Sequence, residues 1–172
     1  MPSRYNRGVA ANPYASFLGA RNPVDVIEET SRRLSEIVTR LSVGSNLEWR
    51  PAPGKWSARE IICHLADCEI AFAFRLRQTL AETNHVIQPF DQEKWAGMYG
   101  GLSARAALSA FSSLREWDLA LIQHTPAEAM GKKVHHPERG DMTFRTIVET
   151  MAGHDVNHLT QLDAIVAGFA HT

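Results

Sequence analysis

Four stretches of this chain repeat apolar residues at three- and four-residue steps, a period that only packed α-helices can use. The first runs from about Val24 to Val43, with Ile27, Thr30, Leu34, Ile37, Val38 and Leu41 on one face and Glu28, Arg32, Arg33, Glu36 and Arg40 on the other. Pro23 suits its first turn and Gly44 its end. The second opens at Ser57, which stands at capping-box distance from Glu60, and continues to about Thr83 with Ile61, His64, Leu65, Cys68, Phe72 and Leu76 along one side. A third starts at Ser103 and runs to about Gln123; its period predicts an inward face of Ala107, Ala110, Phe111, Leu114, Trp117, Leu121 and Ile122. The fourth, from about Thr143 to Ala167, aligns Ile147, Met151, His154, His158, Gln161, Leu162 and Ile165. Only Lys133 to Met142 reads otherwise, as a short hairpin turning at Arg139-Gly140 or an irregular loop.

Four long helices and little else specify an all-α four-helix bundle over residues 23–172, preceded by an N-terminal extension over 1–22. That extension is polar and interrupted by Gly and Pro, so it either wraps the bundle or frays. The connection from helix two to helix three, roughly Asn84 to Gly101, reaches about 60 Å when extended, against about 40 Å for a 27-residue helix. A parallel crossover along the bundle is therefore open to it. A formal charge of −1 disfavours a nucleic-acid partner. No apolar run approaches the roughly 18 to 20 residues of a membrane span, and the N-terminus lacks the apolar region of a secretory signal. The expectation is a cytoplasmic protein with no membrane partner. Cys63 and Cys68, five apart on one helix, point away from each other, so a disulfide between them would be strained and a reducing compartment suits both.

The chain carries eight histidines, and His154 and His158 stand four apart, on one helical face, about 40° and about 6 Å from each other. Spacing alone discriminates weakly, because eight histidines produce such a pair by chance. Context is sharper: both lie on the inward stripe, where a polar group without a partner costs about 1 to 3 kcal/mol. His64 occupies the equivalent stripe of helix two, so neighbouring helices can bring three imidazoles together. Two readings stand. In one, the three share a metal ion and leave coordination positions free, the pattern of a catalytic site. In the other, they are core histidines bonded to Asp67, Gln161 or water.

Three stretches carry a resemblance. Pro53-Gly54-Lys55-Trp56-Ser57-Ala58-Arg59-Glu60-Ile61-Ile62-Cys63-His64-Leu65-Ala66-Asp67, the segment Pro89-Phe90-Asp91-Gln92-Glu93-Lys94-Trp95-Ala96, and His136-Pro137-Glu138 followed by His154-x₃-His158-x₂-Gln161 resemble the DinB/YfiT-like metal-binding superfamily over about Pro51 to Gly168. The resemblance implies a bundle of up-down-down-up order and a divalent metal held by one histidine of helix two and two of helix four, here His64, His154 and His158. It also implies a metal-dependent hydrolase or a low-molecular-weight-thiol S-transferase acting on a small-molecule substrate, and a homodimer. A non-catalytic, metal-stabilised binding or stress-response protein is the alternative. Three neutral imidazoles suit zinc or nickel better than magnesium or calcium.

Around that set, Asp67 and Gln161 are candidates to hold the ligands' second nitrogens. Cys68 is the sole credible fourth ligand and reads better as small buried filler. Asp155 and Glu69 fall one residue off their stripes and read as helix-surface charge rather than as bases. Asp91, Trp95 and Tyr99 in the long connection either cover the metal's open side or anchor the crossover; with Phe90 and Met98 they also offer a dimer contact. Trp56 reads as a packing anchor beside the capping box. His136 matches the resemblance but also suits a turn, and His85, His124 and His171 read as solvated. The chain lacks G-x-S-x-G, a phosphate-binding G-x-x-x-x-G-K-[ST] loop and a G-x-G-x-x-G fingerprint. His154-Asp155 also lacks the Glu that a metalloprotease carries after its first histidine.

Overall fold

The computed structural model describes residues 12–169. After a single turn, α1 (Ala15–Leu18), the long helices begin at residues whose side chains satisfy otherwise orphaned backbone N–H groups. Asn22 accepts from Val24 N–H at 3.0 Å and, with Pro23 at the first position, opens α2 (Pro23–Leu41). Ser57 opens α3 (Ala58–Ala81) with a complete capping box: the Glu60 carboxylate accepts from Ser57 N–H at 2.8 Å. The short α4 (Gln92–Ala96) is capped by Asp91, and Ser103 caps α5 (Ala104–His124). Thr143 Oγ1 accepts from Thr146 N–H at 3.1 Å ahead of α6 (Phe144–Phe169).

Between α5 and α6 the chain does form a hairpin, β1 (Lys133–His136) antiparallel to β2 (Gly140–Thr143), with Val134 opposite Met142 and both buried. Gly140, at φ 78°, supplies the left-handed conformation the turn needs. The crossover from α3 to α5 is tied to this hairpin where Ile87 N–H donates to the His135 carbonyl at 2.8 Å.

The core divides into two apolar clusters that give the directions of the helices. One gathers Ile27 of α2, Phe72 and Leu76 of α3, Ile122 of α5, and Phe144, Ile147 and Met151 of α6. The other gathers Leu34, Ile37 and Leu41 of α2, Ala58, Ile61 and Leu65 of α3, Phe111 of α5, and Leu162 and Ile165 of α6. Passing from the first cluster to the second, α2 and α6 run one way and α3 and α5 the other. This is an up-down-down-up bundle in which α2 and α3 each pack on both α5 and α6. None of the helices, among the described residues, is long and apolar enough to cross a membrane.

Between the clusters lies a polar layer, and here the sequence reading needs correction. Arg115 is 2% exposed at the centre of the bundle, with its guanidinium bridging Glu69 of α3 at 2.7 Å and Asp155 of α6 at 2.5 Å and donating to the Ile27 carbonyl of α2 at 3.2 Å. Glu69 and Asp155 are therefore interior groups, each 1% exposed, and not surface charge. The inward face of α5 is correspondingly rotated: Phe111, Arg115, Asp118 and Ile122 are buried, whereas Ala110 is exposed and Trp117 is 65% exposed. Hydropathy assigns charged residues to the surface, but a charge that meets its counter-charges inside belongs to the core. Burial disfavours the Glu69 carboxylate, while Arg115 pulls the other way.

The described part of the N-terminal extension lies on α6. Gly153 allows this, since a Cβ there would stand 2.4 Å from the Tyr14 carbonyl oxygen. His85, read as solvated, is instead half-buried, and neither of its ring nitrogens has a partner among the described residues; His136 is buried, at 3% exposure. His124 is exposed as expected, and His171 lies outside the described residues.

Candidate metal centre

The helix directions just described place the early part of α3 against the later part of α6, and so bring His64 beside His154 and His158. The three are 1%, 3% and 5% exposed, and one ring nitrogen from each lies within 4.8 Å of the other two. His64 Nε2 and His154 Nε2 approach to 3.1 Å. Burial holds all three rings below the ordinary imidazole value, His64 down to about 3. They are neutral at physiological pH, with lone pairs converging on one point. Two nitrogens facing each other at 3.1 Å can share at most one proton, and His154 Nδ1 is buried with no partner among the described residues. A cation bound there would use all three lone pairs.

The neighbours are divided differently from expectation. Gln161 does what the sequence suggested: its Oε1 accepts from His158 Nδ1–H at 3.0 Å, which turns Nε2 toward the cluster. Asp67 instead accepts from the Tyr99 hydroxyl at 2.9 Å, and this contact fastens the crossover to α3. Tyr99 is 2% exposed, so of the two roles open to it the structure gives the anchor. Trp95 lies tilted against the Phe90 ring, with centroids 4.6 Å apart. Cys68 Sγ lies 3.5 Å from His64 Nε2 but is not among the atoms that converge. Burial pushes its thiol well above the usual range.

Aromatic walls enclose the rings. Trp56 lies against His64 with centroids 4.9 Å apart, and Tyr14 meets His154 edge-on at 5.1 Å. Trp56 thus packs on the His64 ring. A cavity of about 590 Å³ opens onto His64 and His158, with Trp56, Lys55, Gln92 and Asn157 also in its wall. Among the described residues, no Asp or Glu lines it.

A profile of the DinB superfamily matches residues 27–162, which carry α3, α5, most of α2 and α6, and all three histidines. The chain belongs to the DinB superfamily. Among relatives of this DinB chain is an Oceanobacillus iheyensis protein named "Putative metal-dependent hydrolase", 28% identical over 143 residues and covering 83% of each chain. A second protein of that organism with the same description is 26% identical over 137 residues, 79% of each chain. A Bacillus cereus protein so described is 24% identical over 143 residues, 83% of this chain and 82% of its own. In fold, the chain resembles YfiT from Bacillus subtilis, whose structure is described as a probable metal-dependent hydrolase with an unusual four-helix bundle topology. The TM-score is 0.73 at 19% identity, covering 95% of this chain and 92% of that one. Tyr14 of the DinB chain escaped sequence reading because it precedes the first periodic segment. Its only signal was indirect, a glycine inside a helix next to His154, which marks a close approach.

Proposed function

We propose that this chain is a metal-dependent enzyme, a hydrolase or a low-molecular-weight-thiol S-transferase, whose metal is a zinc or nickel ion held by His64, His154 and His158. The observation that carries the proposal is the meeting of three buried, neutral imidazoles beside a cavity of about 590 Å³. When bound, a divalent ion of this kind acidifies a water molecule or a thiol and polarises an electrophile. The chain's own residues do the rest. Gln161 fixes the His158 ring, Trp56 and Tyr14 exclude bulk water, and Lys55, Gln92 and Asn157 present polar atoms to a small-molecule substrate. Glu69 and Asp155 are bound to Arg115 and take no part as bases. Two buried, free cysteines support a reducing, cytoplasmic location. Exposed Ile70, Phe74 and Trp117 support a homodimer, which light scattering at high protein concentration would exclude by giving a monomer.

Metal analysis of the purified protein, joined to screens of ester and thiol-transfer substrates, tests the main reading. We expect about one ion per chain, and near-complete loss in His158→Ala with helicity kept, because packing along four helices supplies most of the stability. Full occupancy in that variant overturns the ligand set. A second reading, a closed and purely structural site, draws on the 3.5 Å approach of Cys68 to His64. A thiolate charge-transfer band in the cobalt-substituted protein, lost in Cys68→Ala, would favour it over catalysis.

A further inference from the structure

A second cavity, of about 310 Å³, shares Tyr14 and Gln92 with the first and has His154 and Cys68 in its wall. Arg75 from α3 and His136, Glu138 and Arg139 from the hairpin line it too. Neither arginine forms an ion pair among the described residues. The Arg75 guanidinium reaches only the Gln88 carbonyl, at 3.3 Å, and lies over the Phe90 ring at 5.7 Å. Burial and the nearby charge of Arg139 together hold Arg75 below the usual arginine value, so the two cations feel each other. Glu138, the one carboxylate in this wall, offsets one of the two charges. His136 adds a donor whose sense is fixed: its Nδ1 accepts from Glu138 N–H at 3.2 Å. The neutral ring therefore carries its proton on Nε2, which has no protein acceptor among the described residues.

Two half-buried guanidinium groups without carboxylate partners, beside an unpaired imidazole N–H, form a surface complementary to an oxyanion. We infer that this cavity binds the acidic group of the substrate, a carboxylate or phosphate on a small molecule, between Arg75, Arg139 and His136. The remainder of that molecule reaches past Tyr14 toward His154. The inference rests on the proposal that the histidine cluster is the reaction centre, and it narrows the substrate class to anions.

Calorimetric titration of the metal-loaded protein with 3-phenylpropionate, its uncharged amide and inorganic phosphate tests it. Arg75→Gln, Arg139→Gln and the chelator-treated protein are run in parallel, with metal content measured in every sample. Arg139 sits at the hairpin turn, so its variant keeps the fold, which circular dichroism verifies. The expected result is saturable binding of an anion, at least about tenfold weaker in each variant and for the amide, and retained after chelation. Preference for the acid or for phosphate identifies the source of the oxyanion. Equal affinity for acid and amide, unchanged affinity in both folded variants, or no binding of any probe overturns the inference. So does binding that vanishes on chelation while both variants bind normally, since the carboxylate then ligates the metal. A protein that holds no metal yet loses anion binding in Arg139→Gln would retire the reaction-centre reading and leave the anion site standing.

Discussion

Gln161 is an exposed residue with an interior task. Its amide oxygen holds the proton of His158 on Nδ1, and without it the ring is free to rotate and to present the wrong tautomer. Gln161→Ala should weaken zinc or nickel binding by about 10- to 100-fold with no change in fold, as a competition titration against a chelating dye would show. At this scale the sequence was informative wherever a polar residue interrupted an apolar stripe. His64, His154 and His158 all stood out that way, because nothing in helix periodicity explains an imidazole facing a core. Arg115, Glu69 and Asp155 did not stand out. Each has the composition of a surface residue, and only the three-dimensional meeting of their charges makes them interior. Cys68 was legible on both counts, since it is four residues from His64 on the same helical face, and its sulfur lies 3.5 Å from that ring.

Among the elements, α3 depends most visibly on its first turn. Burial works upward on the Glu60 carboxyl, but the hydrogen bonds from Arg50 and Ser57 outweigh it and hold the group below its usual value. A carboxyl depressed in the folded state adds stability that is complete above its unfolded value and is lost as pH falls through the folded one. The wild type should therefore lose its advantage over Glu60→Gln below a pH of about 4, measured as urea midpoints across pH. The capping box itself was readable from Ser57 and Glu60, as were the other helix starts to within a residue or two. The inward face of α5 was not, because its central residue is the one whose partners lie on three other helices. Removing that residue tests the point. Arg115→Met strands two buried carboxylates and should cost about 3 to 5 kcal/mol in chemical denaturation.

On the scale of the whole molecule, four helices followed from periodicity, the connection length allowed their crossover, and the order of directions came with the family resemblance. What no single stretch could disclose was the division of the core into two apolar clusters with a charged layer between them. The histidine cluster adjoins that layer and joins α3 to α6, so an ion bound there would stabilise the fold by mass action. At a free concentration about 1,000 times its dissociation constant it adds about 4 kcal/mol, and chelation should lower the melting temperature accordingly.

The pairing of helices also has a kinetic side. His64 and His154 are 90 residues apart in the chain, and Arg33 meets Asp163 across 130. Contacts of such long range close late, after the entropy of looping most of the chain has been spent. We expect the cluster to assemble only when α6 docks, after the rate-limiting step. Zinc or nickel should then leave the refolding arm of a chevron plot almost unmoved and slow the unfolding arm, so that the ion acts as a latch on a finished fold and not as its nucleus.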